Sequence, residues 1–152
     1  MKRISWLLLL LGITAAGCSS FGASSPEKER QALDAQNIPP QNYKPDLLAF
    51  LRTYLNNPEG VREAGLSEPR KLWILDIERY AACLRYNAKD STGRYTGLRD
   101  HVAVFVSGKF DRLIELGRVG EATTSNPSLK PLRDFCATAG YQPLPELEKL
   151  RL

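Results

Sequence analysis

The chain of 152 residues has one histidine, one methionine and three cysteines, and these scarcities exclude whole classes of chemistry. With a single histidine and no cluster of thiols, no set of soft ligands for a structural or catalytic zinc can be assembled. No C-x-x-C pair occurs, so thioredoxin-like redox chemistry has no basis. Nowhere do about 20 apolar residues follow one another, the number a membrane-spanning helix needs. No dense basic stripe is present either, which argues against nucleic acid as a partner. No catalytic constellation and no cofactor motif emerge, so catalytic, metal and cofactor residues are all expected to be none.

What is present begins at the N-terminus. Lys2 and Arg3 come first, an apolar run follows from Ile4 to Ile13, and small residues lead to Cys18. Charge, apolar stretch and small-residue site in that order are the three parts of an export signal. Removing Lys2 and Arg3 lowers the net charge from +4 to near +2.

Ala15-Ala16-Gly17-Cys18 resembles the bacterial lipobox, in which a signal peptidase cuts before a cysteine that receives lipid; Ala15 stands where Leu is commonest. The resemblance implies a signal peptide over 1–17, lipidation of Cys18, and anchoring to a membrane through that lipid. Each buried methylene of an acyl chain adds roughly 0.8 kcal/mol to anchoring. Ser19 and Ser20 follow the cysteine, without the Asp that favours inner-membrane retention in the Gram-negative lipoproteins this resembles. The expected location is therefore the periplasmic face of the outer membrane. An ordinary secretory signal with a chance cysteine is the alternative.

Two cysteines remain, Cys83 and Cys136. An oxidising compartment favours a disulfide between them, worth about 4 kcal/mol by loop closure. Two separate buried thiols are the alternative.

Residues 18–44 read as a flexible tether: small polar residues as far as Pro26, a short helical turn over Glu27–Ala35, then Pro39, Pro40 and Pro45. A single domain is expected over 45–152. Leu47, Leu48, Phe50, Leu51, Tyr54 and Leu55 recur at helical spacing behind Pro45 and Asp46, predicting a helix closed by Asn56-Asn57-Pro58. Glu59–Arg70 reads as an irregular connection. Strands are expected over Leu72–Asn87, with an interruption near Asp76–Arg79 as one reading, over Asp100–Val106 and over Lys109–Leu116, the last with a helical alternative. Ser107-Gly108 suits a tight turn. A final helix is expected near 128–139, then an extended tail with one helical turn. The fold class is thus α+β, a small three-stranded antiparallel sheet flanked by an N-terminal and a C-terminal helix.

The segment Cys83-Leu84-Arg85-Tyr86-Asn87-Ala88-Lys89-Asp90-Ser91-Thr92-Gly93-Arg94-Tyr95-Thr96-Gly97 resembles the C-x-x-x-N-A-K-x-S-x-G-x-Y-x-G pattern of small uncharacterised proteobacterial lipoproteins. In that group Asp-Pro stands where this chain has Asn57-Pro58. The expected order of elements is also similar to the C-terminal modules of TolA and TonB, which bind other envelope proteins without catalysis. Fold likeness does not carry function.

Arg85, Lys89, Arg94 and Arg99 make the neighbourhood of the 87–99 loop positive, and Tyr95 offers a rigid contact surface. These five residues are the expected partner-binding set, for an envelope protein, an anionic lipid head group or peptidoglycan. The bland alternative is a hairpin loop whose Asn, Ser and Gly residues serve turn geometry alone. His101 is read as a solvent-facing strand residue, because Asp100 beside it points to the opposite face. Asp76, Glu78, Asp111 and Glu115 are read as solvated strand carboxylates. The function expected is a non-catalytic binding or scaffolding module; a structural or stress-related envelope protein is the alternative, and a cell-wall hydrolase a distant third.

Overall fold

A computed structural model describes residues 25–74, 76–120 and 126–151. The expected export signal, the lipobox-like segment and Cys18 lie outside the described residues. Among those described, no helix is long and apolar enough to cross a membrane.

The chain opens with α1 (Pro26–Ala35), where the Ser25 hydroxyl caps the Lys28 amide and Pro26 occupies the first turn. Helix α2 (Tyr43–Tyr54) starts three residues earlier than the leucine spacing indicates and buries Leu47 and Leu51 completely. Six strands follow: β1 (Asn57–Ser67), β2 (Arg70–Ile74), β3 (Ile77–Lys89), β4 (Arg99–Val106), β5 (Lys109–Arg118) and β6 (Tyr141–Pro143). A short 3-10 turn (Pro127–Leu129) leads into α3 (Lys130–Ala137), and α4 (Pro145–Glu148) closes the chain.

The sheet runs β5-β4-β3-β1-β6, with β2 also on β3, and every pairing is antiparallel. This overturns the three-stranded sheet expected from the sequence. Three additions account for the difference. The expected irregular connection is strand β1; its alternation is broken by two register shifts against β3, with Gly60 at φ 74° and Glu63 at φ 55°. Bulges of that kind erase the period-two signal that betrays a strand. The interruption read near Asp76–Arg79 is a turn that makes the expected first strand a hairpin, β2 turning into β3, with Asp76 at φ 65°. Strand β6 holds only three residues and exists through its pairing with Gly65, Leu66 and Ser67.

Both faces of the central strands are buried. Ala82, Leu84, Ala103 and Phe105 pack under α2 and α4 with Leu47, Leu51 and Leu147. Ala81, Cys83, Val102 and Val104 pack under α3 with Leu132 and Cys136. A strand covered on both sides reads as an unbroken apolar run rather than an alternation. The Cys83–Cys136 disulfide, with its Cα atoms 5.5 Å apart, ties the middle of β3 to α3 across the second of these cores.

The antiparallel order gives the sheet two distinct ends. At the turn end lie the β2–β3 turn and the β4–β5 turn, where Ser107 and Gly108 both take positive φ (51° and 74°), as the expected tight turn requires. The chain enters there: the Ser107 amide donates to the Gln36 carbonyl at 2.8 Å, and the Asn37 amide group donates to Glu78 at 3.0 Å. The described part of the expected tether therefore holds a helix and two hydrogen bonds to the sheet. At the opposite, loop end lies the β3–β4 connection.

Candidate functional site

The loop end carries a polar cleft of about 360 Å³ between the C-terminus of α2, the β3–β4 connection and β5. Its wall includes Tyr54, Tyr86, Lys89, Arg99, His101 and Glu115. Register explains the grouping: Tyr86 lies opposite Arg99 on β4, and His101 lies opposite Glu115 on β5.

His101 is 2% exposed, which corrects the expectation of a solvent-facing residue. Its ring stacks on Tyr86, with centroids 4.5 Å apart and planes 10° from parallel. The Tyr86 hydroxyl is 3.1 Å from His101 Nε2. Burial drives the His101 pKa down to about 4, so the imidazole is neutral at pH 7. Burial likewise pushes the Tyr86 phenol far up, so it keeps its proton and is the natural donor to Nε2. That assignment puts the ring hydrogen on Nδ1, which has no hydrogen-bond partner of normal geometry. Tyr54 donates to Glu115, and its pKa rises to about 12, first through burial and then through that bond. The buried Nε of Arg99 has no partner, which leaves a cation in the wall with donor capacity unspent.

The partner-binding residues expected from sequence are divided by the fold. Lys89 and Arg99 line the cleft. Tyr95 lies between two cations, with Arg62 4.2 Å and Lys89 5.4 Å from its ring centre, and its hydroxyl donates to the Gly60 carbonyl at 2.8 Å. Arg94 sits at the exposed tip, with Nε donating to the Thr92 hydroxyl. Arg85 belongs to the other face. Its guanidinium forks onto both oxygens of Asp100 at 2.7 and 2.9 Å and lies 4.2 Å from the Tyr141 ring centre. Hydrogen bonding to Asp100 raises the Arg85 pKa further. Asp100 is thus engaged away from His101, by Arg85 and Tyr141.

The connecting loop is largely satisfied by itself. The Asp90 carboxylate accepts from the Thr92 amide and hydroxyl and from the Arg94 amide, which hold its pKa below the ordinary value, the hydroxyl most of all. The Asn87 side chain accepts from the Gly97 amide. Gly93 and Gly97 take φ of 79° and 87°, where a side chain would be strained. The Asn, Gly and Tyr positions of the sequence pattern, and Asp90 between them, therefore each have a structural task.

Of the four carboxylates taken as solvated strand groups, Asp76 lies in the β2–β3 turn and the other three have separate surroundings. Glu78 accepts from Asn37 and pairs with Lys71, Asp111 pairs with Arg112, and Glu115 takes the Tyr54 hydroxyl. Among the described residues, no group of three or more His, Cys, Asp or Glu side chains is placed to hold a metal ion. Sequence reading missed Tyr54, Tyr86 and Glu115, which meet only through α2–β5 packing and strand register. The sole forewarning was Tyr54 at the end of the helical leucine pattern.

No family model matches the chain, and no curated protein or solved structure matches it either.

Proposed function

We propose that this protein is an exported cell-envelope lipoprotein, held by lipid on Cys18 to the periplasmic face of the outer membrane. Its folded domain binds another envelope protein through the loop end and performs no catalysis. The observation that carries this reading is the Cys83–Cys136 disulfide in the core behind an export-type N-terminus. Disulfides of this kind persist in oxidising compartments and are rare where thiols are kept reduced. The binding part is supported by the cleft with Lys89 and Arg99 in its wall and Arg94 exposed beside it. The exposed Arg94 and the half-buried Arg99 offer guanidinium donors to a partner's carboxylates.

Two experiments test it. Cys18→Ser should abolish incorporation of labelled palmitate and release the protein from membranes; unchanged membrane association overturns the anchor. A photo-crosslinker at position 94 should trap a discrete partner in intact cells, whereas one at Asp134 on α3 should not. Equal trapping at both positions, or none at either, removes the loop end as a binding surface.

A further inference from the structure

Five large apolar side chains are exposed among the described residues, and three of them, Ile38, Trp73 and Ile77, gather at the turn end of the sheet. Trp73 is 71% exposed, Ile38 51% and Ile77 37%. Strand alternation explains Trp73: Leu72 and Ile74 on either side of it pack into the α3 core, so its indole must face the other way, beyond the reach of α2. There it borders an open cleft of about 610 Å³ whose far wall is α1, from Pro26 to Asp34. The chain entering that wall comes from the membrane anchor. Only six residues lie between Cys18 and Ser25, and the seven residue steps from one to the other, fully extended, reach at most about 25 Å. The first turn of α1, which walls the same cleft as Trp73 and Ile77, is therefore held within that distance of whatever surface holds Cys18. The Gln36 and Asn37 hydrogen bonds fasten the same end to the sheet.

We propose that the turn end docks on the lipid bilayer, with Trp73 seated at the headgroup boundary and Ile77 and Ile38 beside it. This rests on the lipid-anchor reading. An indole with an apolar body and an N–H favours that boundary over both water and the acyl interior. One tryptophan held close by a lipid adds a second weak contact at high effective concentration, which sets orientation more than affinity. The loop end then faces away from the membrane, where a partner can reach it.

The mature chain reports on this directly, because Trp6 leaves with the signal and Trp73 is its only other tryptophan. The lipidated protein is reconstituted into vesicles of phosphatidylethanolamine and phosphatidylglycerol, with and without phosphatidylcholine brominated on its acyl chains. If Trp73 sits at the interface, brominated lipid removes about half of its emission or more, and the emission shifts to the blue on vesicle binding. Co-flotation with unquenched emission that aqueous acrylamide still quenches overturns the docking and leaves the anchor intact. Co-flotation with emission shielded from both quenchers means that protein covers Trp73, and also overturns it. Failure to co-float overturns the anchor reading itself, and the docking with it.

Discussion

At the loop end of the sheet, polar groups are drawn together: the Tyr86–His101 pair is buried, the Tyr54–Glu115 pair lies exposed at the same cleft, and Asp90, Asn87 and Tyr95 stitch the β3–β4 connection to itself and to β1. At the turn end, apolar groups are pushed outward, with Trp73 and Ile77 facing solvent at a cleft and Ile38 exposed beside Gly108. Proteins ordinarily do the reverse, because a buried polar group costs free energy unless it is hydrogen-bonded and exposed apolar area gains nothing in water. The contrast teaches that neither end is dictated by packing. The cores that stabilise the molecule lie between them, on the two faces of β3 and β4.

The largest expected effect sits in that shared middle and so bounds the comparison. Replacing Cys83 and Cys136 by Ser opens a loop of 53 residues, and it should lower unfolding free energy by about 4 kcal/mol in chemical denaturation. An equally stable double variant would show that the cores alone suffice.

Next comes the buried histidine. Its pKa of about 4 in the folded state lies below the roughly 6.5 of an unfolded chain, so the unfolded chain takes up the proton first as pH falls. The stability it contributes is complete above about pH 6.5 and is lost progressively down to pH 4, by about 3 kcal/mol. His101→Leu should flatten that part of the pH–stability curve, read by denaturation at several pH values. A slope identical in both proteins would place the titration elsewhere.

A smaller effect tests whether the loop is stitched as its bonds indicate. Tyr95→Phe removes the hydrogen bond to Gly60, and it should cost about 1 kcal/mol while speeding amide exchange from Ala88 to Gly97. Unchanged exchange would mean that Asp90 and Asn87 hold the loop unaided.

The smallest effects should come from the exposed members of both ends. Trp73→Ser and Arg94→Glu should each change stability by less than about 0.5 kcal/mol, while Arg94→Glu should reduce partner crosslinking at the loop end. Large destabilisation by either would make that side chain structural and dissolve the contrast between the ends.

Much of this organisation was legible from residues alone. Pro45 and Asp46 ahead of the spaced leucines announced α2, the apolar runs announced β3 and β4, and Ser107-Gly108 announced its turn, because each signal is local. The two-cysteine count pointed to the bond that ties β3 to α3. Strand β1 was hidden because its glycines and bulges leave no alternation, and it becomes a strand only when β3 lies beside it. His101 was misjudged for a related reason: whether a strand face is wet depends on what covers it, and α2 with Tyr86 covers this one. Arg85 was grouped with the loop cations by nearness in sequence, yet it stands on the opposite face in an ion pair.

By itself the sequence determined the local chemistry of this protein: an export-type start with a cysteine, the presence of α2 and α3, the Ser107-Gly108 turn, and two thiols free to pair. Tertiary structure alone decided that there are six strands rather than three, that both faces of the sheet are buried, and that the phenols, imidazole and carboxylate share one cleft while Trp73 stands at the other end. The reason is physical: caps, turns and apolar periodicity act over a few residues, whereas strand register and the burial of a face are settled by segments distant in the chain.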